Sequence, residues 1–350
     1  MIKTIKTLSY FGYFKRHLYA YPRLAFEMLL QRATRKRRAL LAEIFFETRC
    51  NLQCWHCSSS EYVGKKKARS LTYSQLEAIV KKLRHVGVLS ICYVGGEPLI
   101  NPELNRIINM THRHKILTAI ITNGTLLTPQ KIDDLFSAGL ANLGFSMQSS
   151  NPEVHDSLVG KKGAYEHMVS MIDYCIAKKR TASICVVPTN ENIANGDFQS
   201  MVDFATQRRM RLNVNLPAPV GRWIDKPDCI LNEASLKIVT ERYFPLDNFF
   251  PDFKQANIRH RIHCPMAEDN LYIFPDGEVC PCTFTHISFG NILEESAETI
   301  LRRMDASPTL KHIARENICP ISMDPEFIGK VHRAIKMADQ YPPRAEDVDF

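Results

Sequence analysis

Three cysteines stand close together near the start of the chain: Cys50, Cys54 and Cys57 lie within eight residues of one predicted loop. Soft thiolates bind zinc or the iron of iron–sulfur clusters. A structural zinc site normally takes four protein ligands, and only three are local here. A cubane cluster held by three cysteines leaves one iron open to bind a further molecule. The alternatives are a zinc knuckle, or buried cysteines that pack as small apolar residues.

A glycine-rich segment, Gly95-Gly96-Glu97-Pro98, follows the next predicted strand. Its two glycines allow the backbone to approach a ligand closely. Glu97 could pair with the ammonium group of a ligand, although such a segment by itself is an ordinary turn. Thr122-Asn123-Gly124 follows the third predicted strand and is equally well a tight turn, and Ser146 ends the fourth strand.

The C-x3-C-x2-C spacing after a first strand, with Gly-Gly-Glu-Pro after the second, resembles the radical S-adenosylmethionine (radical SAM) family. The resemblance implies a [4Fe–4S] cluster on the three cysteines, whose open iron binds the amino and carboxylate groups of S-adenosylmethionine (SAM). It also implies reductive cleavage of SAM to methionine and a 5′-deoxyadenosyl radical. The residues that the resemblance places at the cofactor are Gly95, Gly96, Glu97, Pro98, Asn123, Ser146, Asn190 and His56.

Several positions weaken or qualify this match. The residue before the third cysteine is usually aromatic in the family, and here it is His56, with Trp55 beside it as a packing residue near the adenine. Many relatives continue with Leu-Asp-Gly after the position of Ser146, whereas this chain continues with residues 147–149, Met-Gln-Ser. Asn190 and the segment 217–222, which resembles a segment that flanks adenine, have ordinary loop roles as alternatives.

A second group of cysteines, near the C-terminus, resembles the start of the SPASM and twitch extensions of the same family. The matching features are Cys264, Gly277 and Cys282, with a predicted hairpin over 272–280. Four cysteines suit the shorter twitch type, so the resemblance implies one auxiliary [4Fe–4S] cluster. Its predicted ligands are Cys264, Cys280, Cys282 and Cys319.

The role of Cys280 has two interpretations. Cys280 and Cys282 are two apart on a predicted strand, so both could face one metal. Alternatively, Cys280 is a bystander and three ligands leave an open iron. A zinc site is the alternative for the whole group. His263 and His286 are not expected to be ligands, and the isolated cysteines are expected to pack in the core: Cys92, Cys175, Cys185 and Cys229.

Strand and helix patterns alternate regularly along the chain, and the strands and helices that they predict must position these loops. Six strands are predicted by about residue 220, separated by helices, which implies parallel strands covered by helices. The predicted strands are 41–47, 88–94, 117–121, 143–146, 183–187 and 212–216. Six repeats fit a partial (β/α)6 barrel of the radical SAM type, and a doubly wound sheet is the alternative fold. Both architectures bind ligands at the C-terminal ends of the strands, where the polar segments lie.

Five regions are predicted along the 350 residues. They are a basic, aromatic segment at 1–40, the partial barrel at 41–222, a connector at 223–262, a cysteine-rich auxiliary-cluster unit at 263–323, and a tail at 324–350 that is at most partly ordered. Residues 1–40 hold ten Lys and Arg and one acid, a charge of +9, and residues 41–350 carry −1, which together give the net charge of +8. The near-neutral remainder argues against a nucleic-acid groove across the body.

No apolar run is long enough to cross a membrane and no secretory signal is evident, so we expect a cytoplasmic protein with reduced thiols. Residues 1–40 are predicted to pack as helices at the base of the barrel. The alternatives are peripheral docking to an anionic membrane surface or to another acidic partner. The resemblance implies a reducing partner such as flavodoxin or ferredoxin. No nucleic-acid partner is expected.

The sequence therefore predicts a radical SAM enzyme that abstracts hydrogen from a substrate, assisted by an auxiliary iron–sulfur cluster. The substrate is a peptide, a small molecule or a lipid. The alternative is a non-catalytic iron–sulfur or zinc-binding electron-transfer protein on a degenerate barrel. The missing acid after Ser146 favours this alternative slightly, whereas the three cysteines and Glu97 argue against it.

Overall fold

A computed structural model describes most of the chain. The described residues are 22, 26, 29, 33, 39–64, 69–251, 255–256, 262–264, 266, 270–315, 319–338, 340–348 and 350. The predictions for residues 1–40 therefore lie outside the described residues, apart from four exposed helical positions and residues 39 and 40. In the described part of the chain, no helix has the length and hydropathy that crossing a bilayer requires.

A single sheet of nine strands forms the centre of the fold. Its order is β11-β10-β1-β2-β3-β4-β5-β6-β7. All neighbours from β10 to β7 pair in parallel, and β11 pairs with β10 in antiparallel fashion. The strands are β1 Leu41–Glu47, β2 Ser90–Gly95, β3 Leu117–Thr122, β4 Leu140–Ser146, β5 Ala182–Val186, β6 Arg211–Val214, β7 Phe249–Pro251, β10 Asn270–Ile273 and β11 Val279–Cys280.

A separate two-stranded ladder consists of β8 Gln255–Ala256 and β9 Ile262–His263. The helices that connect and cover the strands are α1 Tyr73–His85, α2 Leu104–Arg113, α3 Pro129–Ser137, α4 Pro152–Val159, α5 Ala164–Ala177, α6 Asn190–Ala194, α7 Asp197–Gln207, α8 Glu233–Lys237, α9 Ala297–Ala306, α10 Pro308–Ile313, α11 Pro320–Met323 and α12 Pro325–Met337. The predicted α/β class, with six consecutive parallel strands, is confirmed.

Local signals in the sequence account for the helix starts. Thr72 and Gln75 form a capping box before α1, so two backbone N–H groups at that end find partners. Thr128 caps α3 and Pro129 occupies its first turn, where a missing N–H costs nothing. The buried side chains of α1 recur every three or four residues and pack on the sheet.

The two faces of the sheet differ in character because strand side chains alternate. One face carries Ile44, Ile91, Ile120 and Leu143 into the main core beneath the helices. On the opposite face, which we call the inner face, Phe45 and Tyr272 are large, whereas many of the other intervening positions carry small or polar side chains. They are Glu43, Cys92, Ala119, Asn142, Ser183, Cys185 and Asn213.

The sheet continues beyond the six predicted strands. β7 lies within the predicted connector and pairs with β6, and β10 lies within the predicted auxiliary unit yet pairs with β1. The hairpin of β10 and β11 was predicted, whereas its place beside β1 was not.

The prediction that the tail is at most partly ordered is wrong. Helix α12 buries Phe327, Ile328 and Val331 in the main core. After α12, Arg344 forms an isolated parallel β-bridge with Ser288. Phe350 is only 6% exposed and packs against the rings of Phe289 and Phe327. The acidic and proline residues of this region suggested a loop, but its ordering depends on contacts with distant residues.

Phe350→Ala should therefore lower the free energy of unfolding by about 3 kcal/mol, because it leaves a cavity among buried aromatic rings. Met337→Ala is the matched control on the same segment, since Met337 is 82% exposed and its loss should cost less than about 0.5 kcal/mol. Urea unfolding of both variants measures the difference. Equal stabilities of the two variants would contradict a packed C-terminus.

Candidate functional site

The first cysteine loop follows β1 and opens on a cavity. Cys50, Cys54 and Cys57 are all half-buried, and all three line a cavity of about 560 Å³ at the C-terminal ends of the strands. Burial raises the pKa of Cys54 to about 12, and its neighbours Cys50 and Cys57 add to this shift. Three thiols that face one cavity and disfavour each other's ionisation form a donor set that suits iron, which would stabilise the thiolates.

Two glycines allow the end of β2 to lie directly against this loop. The N–H of Gly96 donates to the carbonyl of Glu47 at 2.7 Å, and the N–H of Glu97 donates to the carbonyl of Arg49 at 2.8 Å. A Cβ atom on Gly95 or Gly96 would lie closer than 3.0 Å to these same two carbonyl oxygens. Glycine is therefore required at both positions by the approach of backbone to backbone. Both glycines line the cavity, as predicted for cofactor contacts.

A buried carboxylate, which sequence reasoning missed, anchors the root of the cysteine loop. Glu47 is fully buried and accepts hydrogen bonds from the backbone and guanidinium of Arg49 and from Ser70 and Asn101. Burial by itself raises the pKa of Glu47, but the bonds from Arg49 and Ser70 outweigh it and hold the pKa below its usual value. The available signal was a Glu-x-Arg pair directly before the first cysteine.

Glu97 has a different position from the one expected for a cofactor contact. Its carboxylate is buried and accepts from Thr122 Oγ1 at 2.7 Å, from the N–H of Asn123 at 2.9 Å and from the N–H of Leu99 at 3.1 Å. Burial raises the pKa of Glu97, and these hydrogen bonds oppose that shift. Glu97 is not among the residues that line the cavity. It holds the turn at Thr122–Gly124 against the end of β2.

The remaining predicted cofactor residues divide into two groups. Asn123, Ser146 and His56 line the cavity. Pro98 and Asn190 do not line it: Pro98 is buried in a short 3-10 helix, and the amide of Asn190 is bonded to the carbonyl of Ile230 and the N–H of Asn232. A second asparagine that lines the cavity, besides Asn123, is Asn215, which follows β6 rather than β5.

The segment after β6 closes the other side of the cysteine loop. Arg222 donates its backbone N–H to the carbonyl of Cys57 at 3.1 Å, and its Nη1 donates to the carbonyls of Gln53 and Cys54 at 2.9 and 3.0 Å. Gly221 has a φ of +57°, and a Cβ there would overlap the carbonyl of Cys57. This segment therefore fixes the three cysteines relative to the sheet.

Unpaired polar atoms around the cavity fit a bound nucleoside and amino acid. Among the described residues, His56 Nδ1, Asn215 Oδ1 and Trp223 Nε1 are buried and have no hydrogen-bond partner, and all three residues line the cavity. The rings of Trp55 and Trp223 meet edge to face at 4.8 Å. Buried polar groups normally have partners, so these atoms indicate a ligand with donors and acceptors of its own, as SAM has.

The second cysteine group is divided between two environments. Cys264 and Cys319 are buried in the main core, and Cys282 packs partly buried against it. Burial raises the pKa of Cys282 to about 12, and the nearby Cys319 adds to the shift. Cys280 instead lies in a separate aromatic cluster with Phe45, Tyr62, Tyr272 and Phe274. β11 ends at Cys280, so the strand does not extend to Cys282, although Cys282 lies near enough to add to the raised pKa of Cys280; whether Cys280 is a ligand stays a prediction.

Within the part of the chain that the structure describes, no three His, Cys, Asp or Glu side chains are arranged to hold a single metal ion. A cubane cluster makes a different demand, because each of its cysteines binds a separate iron atom.

Comparison with known proteins identifies two regions. Residues 44–205 match the radical SAM superfamily, and residues 264–320 match SPASM, an iron–sulfur cluster-binding domain. The chain is 26% identical over 277 residues to the PqqA peptide cyclase of Ruegeria pomeroyi. The aligned region covers 75% of this chain and 73% of that protein.

Solved structures share the fold. Streptococcus suis SuiB bound to S-adenosylmethionine superimposes with a TM-score of 0.60 at 18% identity, covering 82% of this chain and 70% of SuiB. SuiB was also solved with its precursor peptide SuiA. The structure of anSMEcpe with bound AdoMet has a TM-score of 0.59 at 16% identity, covering 79% of this chain and 83% of that one.

Gly221→Ala should remove iron from the first cysteine site, because its Cβ would displace the carbonyl of Cys57. Gly196→Ala is the matched control, since Gly196 has a φ of +83° with nothing within 4 Å of an added Cβ. Both changes should cost about 1–2 kcal/mol of stability from backbone strain. Iron analysis after anaerobic reconstitution measures the difference. Equal iron in the two variants would show that the Gly221 contact does not hold the loop.

Glu97→Gln should weaken SAM binding roughly tenfold or more while iron is retained. Glutamine replaces one carboxylate oxygen by an NH2 group, which then faces another donor: either the N–H of Asn123, or the hydroxyl of Thr122 and the N–H of Leu99. Because two donors repel each other, the turn at Thr122–Gly124 must shift. Glu103→Gln, an exposed residue on the same segment, is the control and should bind SAM normally. Titration of SAM into the reconstituted variants is the measurement. An unchanged affinity in Glu97→Gln would contradict its role in shaping the cavity.

Proposed function

The chain belongs to the radical SAM superfamily, and on that basis we propose that its substrate is a peptide, which it modifies after hydrogen abstraction. It is a radical SAM enzyme that binds a [4Fe–4S] cluster and SAM, with auxiliary iron–sulfur binding in its SPASM region. When bound, the reduced cluster and SAM together supply a 5′-deoxyadenosyl radical, which takes a hydrogen atom from the substrate.

The observation that carries the proposed chemistry is the convergence of three loops on one cavity. Cys50, Cys54 and Cys57 face it from the loop after β1, and Gly95 and Gly96 face it from the end of β2. The unpaired atoms of His56, Asn215 and Trp223 add polar contacts for the nucleoside and amino-acid parts of SAM. In this proposal these residues bind and orient the cofactor.

We assign the metal ligands from the same geometry. Cys50, Cys54 and Cys57 hold the SAM-binding cluster. Cys264, Cys282 and Cys319 pack against the main core and hold an auxiliary cluster, as the SPASM match over residues 264–320 supports. Cys280, which lies among aromatic rings, has a packing role in this proposal.

Two named relatives support a peptide as the substrate. The curated relative is a PqqA peptide cyclase, and SuiB was solved with a precursor peptide. A flavodoxin or ferredoxin is the proposed electron donor. Membership in an enzyme superfamily disfavours the non-catalytic alternative. Membrane docking through residues 1–40 stays a prediction, because that segment lies outside the described residues.

The test is turnover of short peptides that are made synthetically. Their sequences are taken from short reading frames beside the enzyme's own gene. Reconstituted enzyme, SAM and a strong reductant should convert one such peptide to a product of altered mass, with 5′-deoxyadenosine formed in parallel. The triple variant Cys50→Ala/Cys54→Ala/Cys57→Ala should lose both products and keep the auxiliary iron, roughly half of the total. Cys229→Ala, at an isolated half-buried cysteine, is the control and should remain active.

The possible results separate the parts of the proposal. Continued 5′-deoxyadenosine formation by the triple variant would overturn the assignment of the first cluster. Cleavage of SAM with no change in the mass of any peptide would overturn the peptide substrate and leave the cofactor chemistry standing. Loss of all iron from the triple variant would contradict an independent auxiliary cluster.

A further inference from the structure

A row of inward-facing residues lies just beneath the cofactor cavity. The strand registers place Glu43 of β1 beside Cys92 of β2, Cys92 beside Ala119 of β3, and Ala119 beside Asn142 of β4. Val94, two residues further along β2, lines the cavity. Since a parallel strand rises about 3.3 Å per residue, this row lies roughly 6.6 Å deeper than the cavity wall.

Glu43 is a carboxylate inside the fold whose described partners are all neutral. Thr283 Oγ1 donates to Glu43 Oε2 at 2.9 Å, and the side chain of Asn270 donates a second bond. Its neighbour on β2, Cys92, is small, whereas Tyr272 lies beside it on β10. Glu43 and Cys92 are both only partly covered. Burial raises the pKa of Glu43, which is the direction expected for a carboxylate that lacks a cation. Enclosing a carboxylate inside a protein without a cationic partner is costly, and no described partner of Glu43 is cationic, so a cationic ligand would be favoured here.

Asn142 supplies an independent sign of a missing ligand in the same row. Its Nδ2 donates to Ser183 Oγ at 2.9 Å, while its Oδ1 is buried and, among the described residues, has no partner. Buried amide oxygens normally accept a hydrogen bond. The row therefore ends at an acidic group on one side and an unpaired polar group on the other, with only Cys92 and Ala119 between them.

We propose that Glu43 binds the cationic side chain of a lysine or arginine residue of the substrate, beneath the cofactor cavity. The inference rests on the proposed function and names the residue type that the peptide presents. Thr283, which orients Glu43, lies between Cys282 and the cavity residue Phe284. A long side chain anchored at Glu43 therefore places its own residue between the cofactor cavity and the auxiliary cysteines.

The length and charge of the row favour a lysine or arginine residue over a free ammonium ion. Glu43 and Asn142 are three strands apart, at about 4.8 Å per strand along the sheet. A ligand that reaches both needs a cation for Glu43 and a peptide N–H for Asn142. Arg211 also lies on the inner face, but five strands from β1 in the sheet order, where its Nε donates to Asn213 at 2.7 Å. Among the described residues, none of the partners given for Glu43 carries a positive charge.

The test compares two probes that differ only in the side-chain ammonium group: Nα-acetyl-lysine methylamide and its neutral analogue Nα-acetyl-norleucine methylamide. Each is titrated calorimetrically into the reconstituted enzyme with SAM and without reductant, so that no turnover occurs. The lysine probe should bind at least tenfold more tightly than the norleucine probe, since a charge-assisted hydrogen bond is lost in the second. Glu43→Gln should abolish this preference, and Glu43→Asp should reduce it.

Glu77→Gln is the control, because it removes one negative charge from the exposed face of α1 and should keep the full preference. Equal binding of the two probes to the wild-type enzyme would overturn the inference, even if Glu43→Gln fails to fold. A preference that survives in Glu43→Gln would overturn it as well. SAM affinity is measured in the same samples. Normal SAM binding without any charge preference refutes only the Glu43 site, whereas absent SAM binding refutes the proposed function.

Discussion

The site depends on one close approach of backbone to backbone, where the end of β2 lies against the first turn of the cysteine loop. The N–H groups of Gly96 and Glu97 bond to the carbonyls of Glu47 and Arg49, and no side chain fits between the two segments. This contact brings the cysteines after β1 and the glycines after β2 to one cavity. The buried Glu47 and its Arg49 partner then hold the loop in the direction that this contact sets.

Burial of the thiols links folding to cluster assembly. The pKa values of Cys50, Cys54 and Cys57 are all raised by burial. Without metal the folded chain therefore holds these groups as neutral thiols, and iron binding must release their protons. The guanidinium of Arg222 opposes the shift at Cys54 and Cys57. Arg222 thus holds the shape of the loop through its bonds to the carbonyls of Gln53 and Cys54. Its positive charge also favours the thiolate forms of Cys54 and Cys57.

The inner face of the sheet explains why the protein tolerates polar residues in its centre. Helices cover one face of the strands with aliphatic side chains, and this face supplies most of the main core. The inner face instead joins Asn142, Ser183 and Asn213 through hydrogen bonds. Polar groups inside a protein must be paired by one another or by a ligand. Glu43 and the unpaired end of Asn142 mark where a substrate would complete the pairing.

The sequence alone determined the chemistry and the main architecture. The spacing of the three cysteines, the Gly-Gly-Glu-Pro segment and the alternation of strands and helices predicted the family and the parallel sheet. These features are local, since turn residues, caps and apolar periodicity act over a few neighbours. Five of the residues that these local signals predicted for the cofactor line the cavity: Gly95, Gly96, Asn123, Ser146 and His56.

Only the tertiary structure decided which polar side chains face the cavity and which support it. Glu97 and Asn190 follow strands as predicted, yet both are bonded to neighbouring loops, while Asn215 faces the cavity instead. The place of β10 beside β1 and the packing of Phe350 likewise depend on residues far apart in the chain. Such contacts carry no signature in short stretches of sequence, because they depend on which distant surfaces the folded chain brings together.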